Sequence, residues 1–348
     1  MGGVVLGVTI KDIAKLAEVS TATVSKIVNN KIDDVSDTTV EKVKKIIKEK
    51  NYTPNYLARS MVTKKTKTLG LIIPDIRNPF FTDIAKGAED SANELGYSIL
   101  FCNSDDDLEK EITYINSLIE KQVDGIMLAG AAKRDKNRER KININIPIIS
   151  VDRNAYYKGI EGSLEIDNYT GSYEGVKHLI CKGYKRIVFV SGPLDTKPST
   201  ERLRGYKNAL KDSGIKVDNE NIIVGTYERN FGEKIIGTLD YSLENVGFFC
   251  GNDLIAIGLI KSLKENNYKV PEEIGVVGFD DIYISSLISP SLTSVRQPSY
   301  KMGYESIQLL IKTLDNNNEE KNNITLKTRL IKRESTRRIN LDQIKNKE

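Results

Sequence analysis

Eleven residues in this 348-residue chain sit where polar chemistry meets apolar runs. They are Asn78, Phe80, Phe81, Asp152, Arg153, Arg202, Tyr227, Asn252, Phe279, Asp280 and Gln297. Nearly all follow short apolar stretches such as "LGLIIPD", "PIISVD", "NIIVGTY", "VGFFCGND" and "IGVVGFD". Aromatics, amides, carboxylates and arginines gathered in one crevice suit a sugar. Rings stack on its C–H faces, while the charged and amide groups bond its hydroxyls. Each residue also has a plain structural reading. Phe80 and Phe81 fit a core, Asp253 fits a helix cap, and Arg202 fits an ion-paired brace between lobes. Catalysis finds little support. The single histidine, His178, lies on an amphipathic helix pattern, "SYEGVKHLICKGY", where packing or solvation accounts for it. There is no P-loop, no G-x-S-x-G, no G-x-G-x-x-G after a strand, and no Cys/His metal spacing. Neither an enzyme nor a metal or cofactor site is expected.

The elements that must position this set can be read from the apolar pattern. From Leu69 onward, eight short apolar runs alternate with amphipathic segments at 79–95, 107–121, 168–182, 198–213 and 253–266. That alternation predicts an α/β body with parallel sheets. Its length favours two similar lobes, with Gly96 and Gly214 as helix C-caps. A further strand, "LTSVRQ", precedes Gln297. The polar segment 131–146 predicts a short or irregular helix. In open α/β sheets ligands bind outside the carboxyl ends of the strands, and that is where the eleven residues fall.

A second chemistry lies near the start. Residues 1–67 hold 13 Lys+Arg against 7 Asp+Glu, whereas the remainder holds 39 against 41. A basic head on a near-neutral body is an electrostatic footprint for a polyanion. It is equally what a solvated lysine-rich helix gives, since "EKVKKIIKEK" alone supplies five lysines. The head has its own order. Thr9 and Asp12 make a capping box, Ser20 and Ser36 make N-caps, and apolar residues recur at helical spacing. Three short helices with a tight turn between the first two describe a helix-turn-helix. The second helix, in "VSTATVSKIVNN", carries a thin outer face of Thr21, Ala22, Ser25, Lys26 and Asn29. A thin, hydrogen-bonding face fits the major groove of DNA.

"VTIKDIAKLAEVSTATVSKIVNN" followed by "NYTPNYLARSM" resembles the N-terminus of the lactose/galactose-repressor family of bacterial transcription regulators. Ala14 and Val24 stand at packing positions, "TVSK" replaces the family's usual "TVSR", and "PN" opens a hinge. The resemblance implies that Thr21, Ala22 and Lys26 read bases, while Ser20, Thr23, Ser25, Asn29 and Tyr52 touch phosphate or position the helix. It implies a short hinge helix over Pro54–Met61 that folds on the minor groove. There Asn55, Ala58 and Met61 meet DNA, and Met61 occupies the place of the family's wedging leucine. Core filling is the plain alternative for Met61. Two departures stand out. Lys26 replaces an arginine, which turns a bidentate guanine contact into a point charge. Glu18 replaces a glycine in the tight turn, where a positive φ is required.

The body resembles the same family, and also the periplasmic sugar-binding proteins. The likeness runs over about residues 8–338. Its pocket is most similar to the ribose-binding type: "NPFF" (Asn78–Phe81), "DR" (Asp152–Arg153), "ERLRGY" (with Arg202), "GND" (with Asn252), "GFD" (Phe279–Asp280) and "RQP" (with Gln297). Tyr227 stands where that type has phenylalanine, and Asn103 in "CNSDDD" aligns in more than one way. A ribose-like sugar is therefore the leading effector.

The expected organisation is a helix-turn-helix domain over 8–53, a hinge and linker over 54–67, and a two-lobe effector-binding and dimerisation domain over 68–338. Residues 1–7 have no place in the family pattern. "MGGVVLGVTIKD" lacks a basic n-region and an adequate apolar stretch, and no apolar run reaches a membrane span. The expected place is the cytoplasm, on the nucleoid. Cys102, Cys181 and Cys250 are expected to be buried free thiols. After "LIKRESTRRIN" comes a short polar tail without heptads, so a homodimer on a near-palindromic operator is expected. The expected function is a sugar-responsive DNA-binding regulator, a repressor, with room left for a protein co-effector. The alternative is the sugar-binding component of a transporter, which needs a signal peptide and has no use for a basic head.

Overall fold

The structure, a computed structural model, describes residues 8–52, 65–133, 135, 139, 142, 144–239, 243–315 and 322–336. The expectations for the hinge residues Asn55, Ala58 and Met61 lie outside these, as does most of the helix expected within 131–146. The chain divides into two compact units, Met1–Thr66 and Lys67–Glu348.

The first unit contains three helices, α1 (Ile10–Ala17), α2 (Thr21–Val28) and α3 (Asp37–Glu49). The first two begin as their sequences dictate. Thr9 Oγ1 accepts from the Asp12 N–H, and Asp12 Oδ2 accepts from the Thr9 N–H at 2.9 Å, which closes a capping box. Ser20 Oγ accepts from the Thr23 N–H at 3.0 Å and starts α2. Ser36 stands at the N-cap of α3, but its hydroxyl bonds the hydroxyls of Thr38 and Thr39 instead of a backbone N–H. Between α1 and α2, Glu18 takes φ +58°, the left-handed conformation expected of this turn. The core is Ile13, Ala14, Ala17, Val24, Ile27, Val40, Val43 and Tyr52. Burying each of the larger aliphatic side chains stabilises the unit by about 1.5–3 kcal/mol.

The second unit contains two six-stranded sheets. The first lobe uses β1 (Thr68–Ile73), β2 (Ser98–Asn103), β3 (Gly125–Leu128), β4 (Ile148–Val151), β5 (Ile160–Ile166) and β11 (Asn322–Leu326), in the order β11-β5-β4-β3-β1-β2. The second uses β6 (Arg186–Ser191), β7 (Ile222–Val224), β8 (Val246–Cys250), β9 (Ile274–Asp280), β10 (Thr293–Arg296) and β12 (Arg329–Ile331), in the order β12-β10-β9-β8-β6-β7. All pairings are parallel except β12 on β10. The helices are α4 (Pro79–Glu94), α5 (Leu108–Glu120), α6 (Asn168–Cys181), α7 (Lys197–Lys211), α8 (Arg229–Lys234), α9 (Asp253–Glu265) and α10 (Ser299–Asp315). Strands β5, β11 and β12 were not in the expected series. Their alternating or charged sequences lack the continuous apolar run that marks a strand buried on both faces. Gly96 and Gly214, both at φ +71°, end their helices as expected.

The chain crosses between lobes three times: from β5 to α6, from β10 to α10, and from β11 to β12. In the first lobe α4 and α10 pack unusually close. A Cβ on Gly87 would lie 2.0 Å from the Tyr300 carbonyl oxygen, and one on Gly303 would lie 1.9 Å from that of Ile84. Glycine at both contact points lets the two backbones touch. The parallel strands carry their carboxyl ends toward the cleft between the lobes.

The cysteines differ from expectation in part. All three are free, and Cys250 is buried, but Cys102 is half-buried and Cys181 is exposed at the end of α6. His178 is buried, and its Nε2 bonds the Thr336 hydroxyl at 2.8 Å, a packing role. No described helix is long and apolar enough to cross a membrane.

Candidate functional site

A cavity of about 230 Å³ opens between the lobes. It is smaller than the usual site for a drug-sized ligand and suits a monosaccharide. Ten of the eleven expected residues line it: Asn78, Phe80, Phe81, Asp152, Arg153, Arg202, Tyr227, Asn252, Asp280 and Gln297. They come from both lobes, at or just past the ends of strands or in the first two turns of helices.

Helix starts fix the amides. Asn78 Oδ1 accepts from the Phe80 N–H at 3.1 Å and caps α4, with Pro79 at the first helical position. This cap aims Phe80 and Phe81 inward, where their rings meet edge-to-face at 5.0 Å. Both rings are also core, so the structural and binding readings hold together. Asn252 Oδ1 caps α9 through the Ile255 N–H at 2.9 Å, and its Nδ2 donates to the Tyr227 carbonyl at 3.1 Å. Asn252 thereby holds Tyr227 at the wall, and Tyr227 Oη lies 3.3 Å from Ser191 Oγ. Asp253 does not cap α9. Its carboxylate reaches the loop after β9 and strand β10, accepting from the Ile282 N–H at 2.9 Å, from Ser285 Oγ at 2.6 Å and, on β10, from Ser294 Oγ at 2.5 Å. Burial raises its pKa to about 7, against those hydrogen bonds.

Strand ends fix the charges. Asp152 follows β4 at φ +62°, and Asp280 ends β9 at φ +112°. Burial pushes Asp152 upward, opposed by the charges of Arg153 and Arg202. Burial pushes Asp280 well upward too, opposed first by Arg202. Gln297 Nε2 donates to Asp280 Oδ1 at 2.6 Å. Asp152 Oδ1 and Gln297 Oε1 are buried without a hydrogen-bond partner. Such acceptors are costly to leave unmade. Arg202 is buried, with Nε donating to Asn168 Oδ1 at 2.8 Å and Nη1 to the Gly251 carbonyl at 2.6 Å.

Phe279 is the exception among the eleven. It does not line the cavity. It is wholly buried under Arg202 and meets Phe249 edge-to-face. All of β9 is buried, so no alternation in the sequence tells its cleft side from its core side. Asn103 also stays out. Its Oδ1 accepts from the Ile76 N–H at 2.8 Å and pins the loop before α4. Sequence reasoning missed Asp75, Arg77, Asp105, Asp106, Thr196, Thr226 and Glu228, which with Pro74, Pro193 and Pro198 complete the wall. Their signal was proximity to residues already chosen, above all the acidic run after β2.

In the head, Thr21, Ala22 and Lys26 are exposed on α2, as are Ser20 before it and Asn30 after it. Thr23, Ser25 and Asn29 are half-buried, and Asn29 Nδ2 donates to the Ser25 carbonyl at 2.7 Å. Tyr52 is only 9 % exposed and packs in the head's core, a placement that serves the helix more than a phosphate. Lys26 Nζ pairs with Asp34 at 3.1 Å, in solvent. Such exposed pairs contribute little, so Lys26 is readily available to DNA.

A helix-turn-helix head in one chain with a two-lobed α/β body and a polar crevice is the make-up of an effector-regulated DNA-binding protein. Comparison with known proteins agrees. Residues 9–55 match the family described as bacterial regulatory proteins, lacI family, and residues 176–336 match the periplasmic binding protein-like domain. The chain is 39% identical over 333 residues to the HTH-type transcriptional regulator RegA of Clostridium saccharobutylicum, covering 95% of this chain and all of that one. It is 35% identical over 305 residues to the ribose operon repressor of Escherichia coli, covering 87% and 92%. Among solved structures, the lac repressor dimer bound to operator and the anti-inducer ONPF superposes with a TM-score of 0.81 at 25% identity, covering 95% and 99%. The chain belongs to the lacI family of bacterial regulatory proteins. It is a transcription regulator and not an enzyme, and the transporter reading falls with that membership.

Proposed function

We propose that this chain is a cytoplasmic, nucleoid-associated repressor that binds a near-palindromic operator as a homodimer and answers to a small, ribose-like sugar. The observation that carries the reading is the convergence of ten side chains from two lobes on one monosaccharide-sized cavity. Phe80 and Phe81 supply apolar faces, and Arg202, Arg153 and Asn78 supply donors. Asp152 and Gln297 supply acceptors that a polyol's hydroxyls satisfy once the lobes close. In the head, Thr21, Ala22 and Lys26 read bases, while Ser20, Thr23, Ser25 and Asn29 meet the backbone or hold α2. Tyr52 positions it. Asn55, Ala58 and Met61 form the hinge contacts, with Met61 as the wedge.

The mechanism is two-state. Sugar shifts the lobes about the three crossovers, and that alters the joint fit of two heads to the two half-sites. A sugar that binds the DNA-free form better induces, and one that binds the DNA form better corepresses. Thermal-shift screening of the full chain against a sugar panel tests the reading. A ligand at a hundred times its Kd adds about 2.7 kcal/mol of stability. Operator titrations with and without that sugar then give the sign of the response. A panel in which no sugar raises the melting temperature overturns the proposal.

A further inference from the structure

Arg153 enters the crevice with one edge of its guanidinium already engaged. Its Nη1 donates to Asp106 Oδ1 at 2.6 Å and to the Gly130 carbonyl at 3.4 Å. Its Nε lies 3.8 Å from Asp152 Oδ2. Asp106 is itself fixed. It holds φ +60°, and the Ala132 N–H donates to the same Oδ1 at 2.9 Å. Two carboxylates therefore flank one buried arginine, and the cluster as a whole does not present a bare positive charge. Arg202, further along the cavity, is engaged by Asn168 and the Gly251 carbonyl and feels Asp280 and Asp152 nearby. Recognition of a phosphate needs the opposite arrangement, a guanidinium fork whose charge is left for the ligand.

We propose that Asp106 sets effector specificity, by holding Arg153 in an ion pair so that the crevice selects an uncharged sugar over the same sugar carrying a phosphate group. This rests on the sugar reading of the crevice given above. Asp106 acts through Arg153 as a positioning residue. Its part-exposed carboxylate also stands in the cavity wall, where an incoming anion meets a like charge. A neutral hydroxyl meets no such penalty and can donate to it.

Isothermal titration of the full chain tests this with pairs of ligands, D-ribose with D-ribose 5-phosphate and other pentoses and hexoses with their phosphate esters. The wild type binds a free sugar at least about tenfold more tightly than its ester. Asp106→Asn keeps an acceptor for Ala132 and Arg153 but removes the charge, and that ratio narrows about tenfold or inverts. Asp106→Ala is read by the same ratio, with thermal melts to show that both variants fold. A purely structural Asp106 weakens both ligands alike and leaves the ratio unchanged, which overturns the proposal. So does a wild type that takes an ester as tightly as its sugar, an outcome that leaves the sugar reading standing. A wild type that binds no free sugar and no ester removes the sugar reading and this inference with it.

Discussion

The guanidinium carbon of Arg202 lies 3.8 Å from the centre of the Phe279 ring. The pairing explains why Phe279, expected to bind ligand, is buried beneath a residue that lines the cavity. Phe279 is a platform. It holds the arginine flat by cation–π attraction, worth about 2 kcal/mol when desolvated. Asn168 and the Gly251 carbonyl then fix the plane of the fork. Asn168 stands at the start of α6, at the first crossover between lobes. Arg202 thus lines the cavity, rests on the platform and reaches the start of α6, and these contacts all lie in the second lobe and none is the ion pair of a brace between lobes.

Arg202→Ala is expected to bind operator without sugar and to lose the response to sugar. Removing a charged donor costs roughly 1.5–3 kcal/mol of binding, on the order of ten- to a hundredfold in affinity. Arg202→Lys is expected to fail nearly as badly, because an ammonium cannot serve two fixed acceptors and stack on a ring in one plane. Calorimetry with the identified sugar checks both. Unchanged affinity in a folded Arg202→Ala dimer takes the residue out of the site.

The Lys26–Asp34 pair gives an opposite pair of expectations. Lys26→Ala weakens operator binding by about 1–3 kcal/mol and blurs one base position in each half-site. Asp34→Asn frees Lys26 and removes a negative charge beside the recognition helix, so operator affinity rises modestly, by less than about 1 kcal/mol. Selection from a randomised operator library reads the base preference, and titration at fixed salt reads the affinity. A Lys26→Ala protein with the parent's preferred sequence and affinity refutes the base-reading role.

The crevice was legible in the sequence because strand ends converge by topology. Once β1 and β4 are recognised as parallel strands of one sheet and β8 and β9 as parallel strands of the other, the residues that follow them, Asn78, Asp152, Asn252 and Asp280, fall at the carboxyl ends that meet at one cleft. What escaped depends on distances along no single element. Asp106 follows β2 in a run of three aspartates, and only the fold says which one meets Arg153, 47 residues away. Asn252 and Asp253 are both good cap residues, and the cap expected of Asp253 falls to Asn252, which also lines the cavity, because the Asp253 partners come from 29 to 41 residues on. The head was legible more fully, since its caps and apolar spacing are local.

Glu18 tests the departure in the turn. At φ +58° a side chain carries a cost that glycine avoids. Glu18→Gly also loses an exposed pair with Lys42, at 3.1 Å, which contributes little. The freer unfolded glycine offsets part of the gain, leaving a net stabilisation of the head by about 0.5–1 kcal/mol. Hydrogen exchange at the α1 and α3 amides of the full chain measures it. Faster exchange in the variant contradicts the strain argument.

His178 makes the stability of the body sensitive to acid. Burial, helped by Lys182 and Lys332, lowers its pKa from 6.5 to about 4. The folded state therefore resists a proton that the unfolded chain accepts. Between about pH 6.5 and pH 4 the unfolded state binds more protons, so stability attributable to His178 falls as pH falls. Above pH 6.5 both states are neutral there and the contribution is flat. Asp152, Asp253 and Asp280 are shifted upward, and a raised carboxyl acts in the opposite sense, adding stability as pH falls. The His178 part is therefore isolated as a difference. His178→Gln offers an amide to the Thr336 hydroxyl and cannot titrate. Its melting temperature relative to wild type should rise steadily from pH 6.5 to pH 4, and should not vary between pH 7 and pH 8. A difference that stays constant across the acid range shows that His178 titrates alike in both states and takes no part in the acid response.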